Sequence, residues 1–402
     1  MTAGVILTSL SCLVCLLWAA RHLVINGHQR RQMALGPDYS GPPANAPAIS
    51  VIVAAKDEAQ NIEPCLRSLL KQDYPDFEII VCNDRSLDDT AAIIQRIAGE
   101  DARVQLVNIE TLPAGWYGKN HALVKGFEAA RGEWICTTDA DCRQLSTRTL
   151  SVAMQYAMDS GADLLSVLPV METHSFAEEI IQPVCGGVMM VWFDPGRVND
   201  PRKSTAYANG AFMLMRRSSY EAIGTHEAIK GILMEGLHIA RRIKQAGMNL
   251  KVVQGIGLYT VRMYTSLKEI VRGWSRIYFG SFRTPGRLAG SLALLVVMGL
   301  LPYAAVGVGF ALAATGARAV GWWMACGLAG LAAAAMQLGI IFRFYKLIGA
   351  RKSLAWTYPL GCIGAIAAVL MAIGKLLPGA KVTWRGTSYE AQRESSASAK
   401  TS

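Results

Sequence analysis

The sequence predicts an α/β domain built on a mainly parallel sheet, with transmembrane helices at both ends of the chain. Apolar runs of membrane-spanning length stand at the start and near the end of its 402 residues. Between them, short β-rich runs alternate with helix-length segments. Acidic residues follow those β-runs, at the strand ends where open α/β sheets bind ligands.

Composition agrees with a soluble domain joined to membrane spans. At 52% hydrophobic and 17% charged residues, the chain is too apolar for disorder and too charged to lie wholly in a bilayer. Its formal charge of +10 could suggest nucleic acid, but the basic residues gather beside apolar segments. Arg21, Arg30 and Arg31 follow the first. Arg262, Lys268, Arg272, Arg276, Arg283 and Arg287 precede the next, and Arg343, Lys346, Arg351 and Lys352 separate two later ones. This is the positive-inside pattern, with anionic membrane lipids as its partner, and no nucleic-acid-binding module accompanies it. The nine cysteines are scattered. Cys12 and Cys15 lie inside an apolar helix and read as packing residues, while Cys82 and Cys136, in expected strands, point to a reducing compartment.

Residues 1–26 form the first expected element, an uncleaved anchor. Its apolar run has no charge before Arg21 and lacks the basic start of a cleaved signal, which places the amino terminus outside. Residues 27–48 form a linker rich in Gly, Pro and Ala. Residues 49–262 form the α/β domain, with strands over 49–54, 77–83, 104–108 and 134–138. Across 263–286, Met263, Leu267, Ile270, Trp274 and Ile277 recur at helical spacing among Lys268, Arg272 and Arg276, the pattern of an amphipathic helix in the membrane interface. Residues 287–377 hold about three spans, near 288–314, 320–342 and 354–373, and 378–402 form a polar tail with a disordered end. Counting spans puts that tail outside, whereas Lys375, Lys381, Arg385 and Arg393 favour inside. A re-entrant or interfacial last segment would resolve the conflict.

Chemistry concentrates at the strand ends. The first strand closes on Ala54 and runs into Lys56, Asp57 and Glu58, as any α/β unit might. The second ends Val81-Cys82-Asn83-Asp84-Arg85-Ser86-Leu87-Asp88-Asp89-Thr90. Here the chain resembles the nucleotide-sugar-binding signature of glycosyltransferase family 2, inverting enzymes with a GT-A fold. The resemblance implies donor contacts from Ala54, Glu58, Asp84, Lys119 and Asp139. Asp84 can accept hydrogen bonds from a uracil or ribose, while Asp88 and Asp89 read as caps of the next helix.

The segment Leu112-Pro113-Ala114-Gly115-Trp116-Tyr117-Gly118-Lys119-Asn120-His121-Ala122-Leu123 sets glycines around one lysine at an expected helix start. There Lys119 and free amide groups would meet a phosphate. Its Gly-Lys-Xaa-Xaa-Ala-Leu pattern is similar to that of members acting on lipids, related to carotenoid, hopanoid and ceramide glycosyltransferases. His121, without a visible partner, reads as structural. Asp139 and Asp141 close the fourth strand. A bare Asp-Xaa-Asp is weak, but at a strand end after the Asp84 motif it points to hard oxygen ligands for Mg²⁺ or Mn²⁺ on the donor diphosphate. Such an ion would neutralise charge on the leaving group.

Two later elements depart from the family pattern. In Met234-Glu235-Gly236-Leu237-His238, Glu235 matches the first of two acidic positions, and Gly236 stands where the usual base would be. Either Glu235 serves as base, or His238 contributes, or ordinary activity is lost. In Ile270-Val271-Arg272-Gly273-Trp274-Ser275-Arg276, the tryptophan is kept and its preceding arginine is Gly273, which argues against a polymerase. Trp274 would wall the acceptor site, and Arg272 or Arg276 would reach the diphosphate.

No Walker loop or dinucleotide-binding glycine motif follows an expected strand. The expectation is a multi-pass, membrane-bound inverting glycosyltransferase on the cytosolic side of the inner membrane, moving a sugar from a UDP-linked donor to a lipid hydroxyl. Its rivals are a polysaccharide or polyprenyl-phosphate sugar transferase and an inactive nucleotide-sugar-binding scaffold.

Overall fold

The computed structural model describes residues 2–30, 34–282, 284–316, 318–377, 381–384 and 387–390. Arg31, Arg283, Arg385, Arg393 and the end of the expected polar tail lie outside these residues.

Eight strands make the main sheet: β1 (Ala34–Leu35), β2 (Ile49–Ala55), β3 (Phe77–Asp84), β4 (Val104–Ile109), β5 (Trp134–Asp139), β6 (Leu164–Leu168), β7 (Phe212–Arg216) and β8 (Leu250–Gly255). Their order is β1-β8-β6-β7-β5-β2-β3-β4. All neighbours are parallel except β7, which runs antiparallel to both β5 and β6. The inner strands read as continuous apolar runs because both faces are covered. Ile52, Ile80, Cys82 and Ile135 enter one layer, and Val51, Val53, Ile79 and Val81 the other. Each such fully buried aliphatic side chain contributes roughly 1.5–3 kcal/mol.

The register brings the expected site together. Ala54 pairs with Asp139 on one side and Cys82 on the other, so β2, β3 and β5 end side by side. A second sheet of three short strands, Cys142–Gln144, Tyr259–Val261 and Val170–Met171, begins immediately after Asp141. The Ala140-Asp141 turn is therefore held between two sheets.

Helices α1 (Thr2–Arg30), α2 (Gly118–Ala129), α3 (Phe176–Trp192), α4 (Glu235–Gln245), α5 (Leu267–Phe282), α6 (Leu301–Ala314), α7 (Val320–Leu347) and α8 (Tyr358–Gly374) frame the site and the apolar ends of the chain. Among the described residues, four helical stretches are long and apolar enough to cross a membrane: Thr2–Gly27, Pro285–Ala314, Val320–Leu347 and Lys352–Gly374. The second contains a π-helical turn over Leu294–Leu300. Such a turn leaves carbonyls without helical partners. Met298 O accepts from Trp18 Nε1 at 3.1 Å and from Gln337 Nε2 at 2.7 Å, which supplies polar partners inside an apolar bundle.

Several sequence-level elements take a different form. The stretch between anchor and domain includes β1, paired with the edge strand β8, and Arg148 Nη2 donates to Gly41 O at 2.9 Å. It is laid along the domain. The apolar stripe of α5 is turned inward only in part: Ile270 and Trp274 are buried with Tyr278 in one core with α3 and α8, Ile277 is half-buried and Leu267 is exposed. A helical stripe says that a face will be covered, and here protein covers its middle. Within the tail, Lys381–Trp384 and Thr387–Glu390 pair as an antiparallel hairpin.

Candidate active site

A cavity of about 890 Å³ opens at the carboxyl ends of β2, β3 and β5. Its lining includes Ala54, Glu58, Asp84, Lys119, Asp139, Asp141, Glu235, Trp274 and Arg276. Arg272 is exposed and lies outside that lining, and so does the buried His238. The rest of the lining is largely apolar, running past Met189, Met190 and Phe193 to Phe344 and Ile348 near the end of α7.

Two loops build the strand-end side of the cavity. After β2 and β3 the chain turns through Asp57 and Arg85, both at positive φ. The loops interlock: Leu87 N donates to Asp57 Oδ1 at 2.8 Å, Glu58 N to Thr90 Oγ1 at 2.8 Å and Ala59 N to Asp88 Oδ2 at 3.0 Å. Asp88 also accepts from Thr90 N at 3.1 Å, so it fastens the loops from outside the cavity lining. Glu58 accepts from Asn61 Nδ2 at 2.7 Å. The buried Asp84 carboxylate takes both ends of the Arg85 guanidinium, at 2.7 and 3.0 Å. Gly118 permits this close approach of α2, because a Cβ there would overlap Asp84 Oδ2.

Lys119, second residue of α2, is the centre of the site. Its Nζ lies 2.5 Å from Asp139 Oδ1 and 2.5 Å from Glu235 Oε1. Backbone contacts fix this bridge: Tyr117 N donates to Lys230 O at 2.7 Å, and Asn120 Nδ2 donates to Ile229 O and Ile232 O, each at 2.8 Å. These bonds tie the start of α2 to the loop that leads into α4. Burial opposes the Lys119 charge, yet Asp139 and Glu235 outweigh it and raise its pKa. Burial likewise opposes ionisation of Glu235, and the Lys119 ammonium outweighs it, holding that carboxyl below its usual value.

Glycines make the bridge possible. A Cβ at Gly210 would overlap Glu235 Oε1. At Gly236 it would come within 2.6 Å of Ala208 O and 3.0 Å of Gly210 N. No aspartate fits there without moving the backbone, so the departure from the family pattern has a packing cause. Gly273 is similar: a Cβ would overlap the Tyr264 ring, whose hydroxyl accepts from Arg276 Nη2 at 3.2 Å. Tyr264 and Arg276 both line the cavity.

Asp139 and Asp141 offer hard oxygens suited to Mg²⁺ or Mn²⁺. Among the described residues no group of three or more His, Cys, Asp or Glu side chains is placed to hold an ion. The pair therefore fits an ion whose other ligands are phosphate oxygens and water.

Sequence reasoning missed Arg85, Tyr264 and the packing roles of Gly210 and Gly236. Arg85 was hidden because the sequence does not show that the backbone turns back on itself just after β3. Its positive φ folds it back onto Asp84.

Residues 50–224 match the family described as glycosyl transferase family 2. The 4,4'-diaponeurosporenoate glycosyltransferase of Staphylococcus aureus is 27% identical over 239 residues, covering 58% of this chain and 61% of that protein. The chain thus aligns with about three fifths of that relative's length. The fold is that of a mannosyltransferase from Pyrobaculum calidifontis solved with GDP-Man and Mn²⁺, at a TM-score of 0.52 and 20% identity, over 91% of this chain and 99% of that one.

Proposed function

From the premise that the chain belongs to glycosyltransferase family 2, we propose that it transfers a sugar from a nucleotide-sugar donor, UDP-linked, to a lipid acceptor at the cytosolic face of the inner membrane. The observation that carries this reading is one cavity with two characters. At one end stand Asp84, Lys119, Asp139, Asp141 and Glu235. The other runs between α3 and the end of α7, a helix long and apolar enough to cross a membrane. A water-soluble polymer would have no use for so apolar a wall, whereas a lipid would. The similarity to a relative named for a carotenoid-type acid supports the same acceptor class.

Asp84 accepts hydrogen bonds from the nucleoside, and Glu58 and Ala54 line the pocket beside it. Asp139 and Asp141 would hold a Mg²⁺ or Mn²⁺ ion, which when bound would stabilise negative charge on the departing diphosphate. Lys119 adds a fixed positive charge at the same place, beside the amino terminus of α2. An acceptor oxygen then attacks the anomeric carbon from the face opposite the diphosphate, in a single displacement with inversion. Glu235, which lines the cavity beside Lys119, would serve as the base that a hydroxyl acceptor requires. Trp274 and Arg276 wall the cavity between the two ends. The inactive-scaffold alternative loses its motive, since Gly236 and Gly273 both have packing causes.

Membranes containing the protein, incubated with labelled UDP-glucose, UDP-N-acetylglucosamine or GDP-mannose and then extracted with organic solvent, test this reading. Label is expected in the organic phase, and Asp141→Asn is expected to lower it by about 100-fold or more. Label found in a water-soluble polymer, or equal transfer by the variant, would overturn it.

A further inference from the structure

We propose that Lys119 controls access to the metal ligand Asp139. Its ammonium is the counter-ion of that carboxylate and yields it to a divalent cation only when a nucleoside diphosphate takes the ammonium over. Cation and nucleotide then bind as a pair. This rests on the reading above of Asp139 and Asp141 as ligands of Mg²⁺ or Mn²⁺, and it gives Lys119 a positioning role within that reading.

The claim follows from charge and reach. Lys119 Nζ lies 2.5 Å from Asp139 Oδ1 and 2.5 Å from Glu235 Oε1, so one cation serves two carboxylates that stand on different elements, β5 and α4. Mg²⁺ binds carboxylate oxygens at roughly 2.0–2.1 Å. An ion on Asp139 Oδ1 would then stand within about 5 Å of the ammonium, where charges of one sign repel and the surrounding protein screens them less than water does. The start of α2 is held against relieving this: Tyr117 N donates to Lys230 O at 2.7 Å, and Asn120 Nδ2 to Ile229 O at 2.8 Å. The side chain is free to turn, because a lysine stem is flexible and Gly210 presents no side chain where a Cβ would lie 3.1 Å from Nζ.

A nucleoside diphosphate changes both sides of this competition. Its phosphate oxygens offer the ammonium a new charged partner, and they add oxygen ligands that a divalent ion needs. Lys119 turns from Asp139 toward the diphosphate while Glu235 keeps hold of Nζ, and Asp139 is released as a ligand. Each of the two bound species therefore raises the affinity for the other by the same factor. Shared phosphate ligands alone would also couple them. The share owed to Lys119 is the part that a neutral side chain at this position removes.

The test titrates the full chain in detergent with Mn²⁺, read as loss of the free-ion EPR signal, with and without UDP or GDP. In the wild type, nucleotide is expected to tighten Mn²⁺ binding by about 100-fold, near the top of the usual range of such couplings. Lys119→Met is expected to bind Mn²⁺ about 10-fold more tightly than the wild type when no nucleotide is present, and to lower the coupling by a similar factor. Lys119→Gln, neutral but able to donate to a carboxylate, carries the same expectation should the Met variant unfold. Lys56→Met is the control: Lys56 also lines the cavity, but its Nζ donates to Asp84 O and Arg85 O, at 3.4 and 3.3 Å, and its loss is expected to change Mn²⁺ affinity by about 2-fold or less. An equal gain in Lys56→Met would trace the effect to cavity charge in general and overturn the inference. So would a wild type that binds Mn²⁺ equally well with and without nucleotide, or Lys119 variants with unchanged affinity for Mn²⁺ alone; both leave the metal reading intact. No Mn²⁺ uptake by the wild type under either condition overturns the metal reading itself, and the inference falls with it.

Discussion

At the residue scale the site turns on one lysine and the glycines around it. Asp84, Asp139 and Asp141 were legible because ligands bind at strand ends in such sheets, and Lys119 and Glu235 because the family motifs they resemble mark helix starts beside that edge. That Lys119 would bridge two of the carboxylates was not, since it depends on the space left by Gly210 and Gly236. Restoring the family's aspartate is therefore expected to harm the protein. Gly236→Asp should lose about 1–3 kcal/mol of stability through overpacking against Ala208 O, read as a lowered melting temperature in detergent. An unchanged melting temperature together with raised activity would contradict the packing account. Acid sensitivity follows from neighbouring groups. His226 is fully buried, and burial pushes its pKa from 6.5 to about 4, with Glu235 opposing and Lys119 adding to the shift. Between those values the unfolded chain binds the additional proton, so stability falls as pH drops through that window. Glu235, held below its ordinary 4.5, adds a further loss below that pH. Lys119 is raised, so its contribution is complete below 10.5 and lost only as pH rises through its folded value. Melting temperature should thus hold between about pH 7 and 8, decline from about pH 6.5 downward, and decline again above about pH 9, where burial holds the Cys65, Cys82 and Cys136 thiols protonated only in the folded chain. A maximum near pH 5 would contradict this assignment.

At the element scale, periodicity located the helices but could not say what each face would meet. The stripe through Leu267, Ile270, Trp274 and Ile277 has the spacing of an interfacial helix, yet α3 and α8 bring apolar faces of their own to cover Ile270 and Trp274, while Leu267 stays exposed. Residues 34–35 were equally silent, because a two-residue strand carries no readable alternation. Small residues set the fit between the sheet domain and the long apolar helices. A Cβ at Gly361 of α8 would overlap Ile180 O of α3, and Lys375 Nζ donates to Ser275 Oγ at 2.6 Å just beyond the end of α8. Gly361→Leu should force these helices apart. The expected result is a loss of about 1–3 kcal/mol in stability with reduced transfer to lipid, while binding of UDP to the sheet end is retained, as measured by calorimetry. Loss of UDP binding with unchanged stability would contradict this separation of roles.

At the scale of the whole molecule, the alternation of β-runs and helices gave the layered fold, and the long apolar runs gave the candidate spans. Sidedness is a different kind of information, carried only by the basic residues beside each span, and at the last span those residues and the count of spans disagree. What the folded chain adds is continuity between its halves. One core runs from the sheet through α3 and α5 to α8, and one cavity runs from the carboxyl ends of β2, β3 and β5 toward the end of α7. That continuity supports the proposal that donor and lipid acceptor share a single site, with attack from the face opposite the diphosphate. The most direct measurement is the anomeric configuration, by NMR, of the lipid-linked sugar that vesicle-reconstituted protein forms from an α-linked nucleotide sugar. A β-linked glycolipid is the predicted product, and an α-linked one, or a sugar released without a lipid, would contradict a single displacement onto a membrane acceptor.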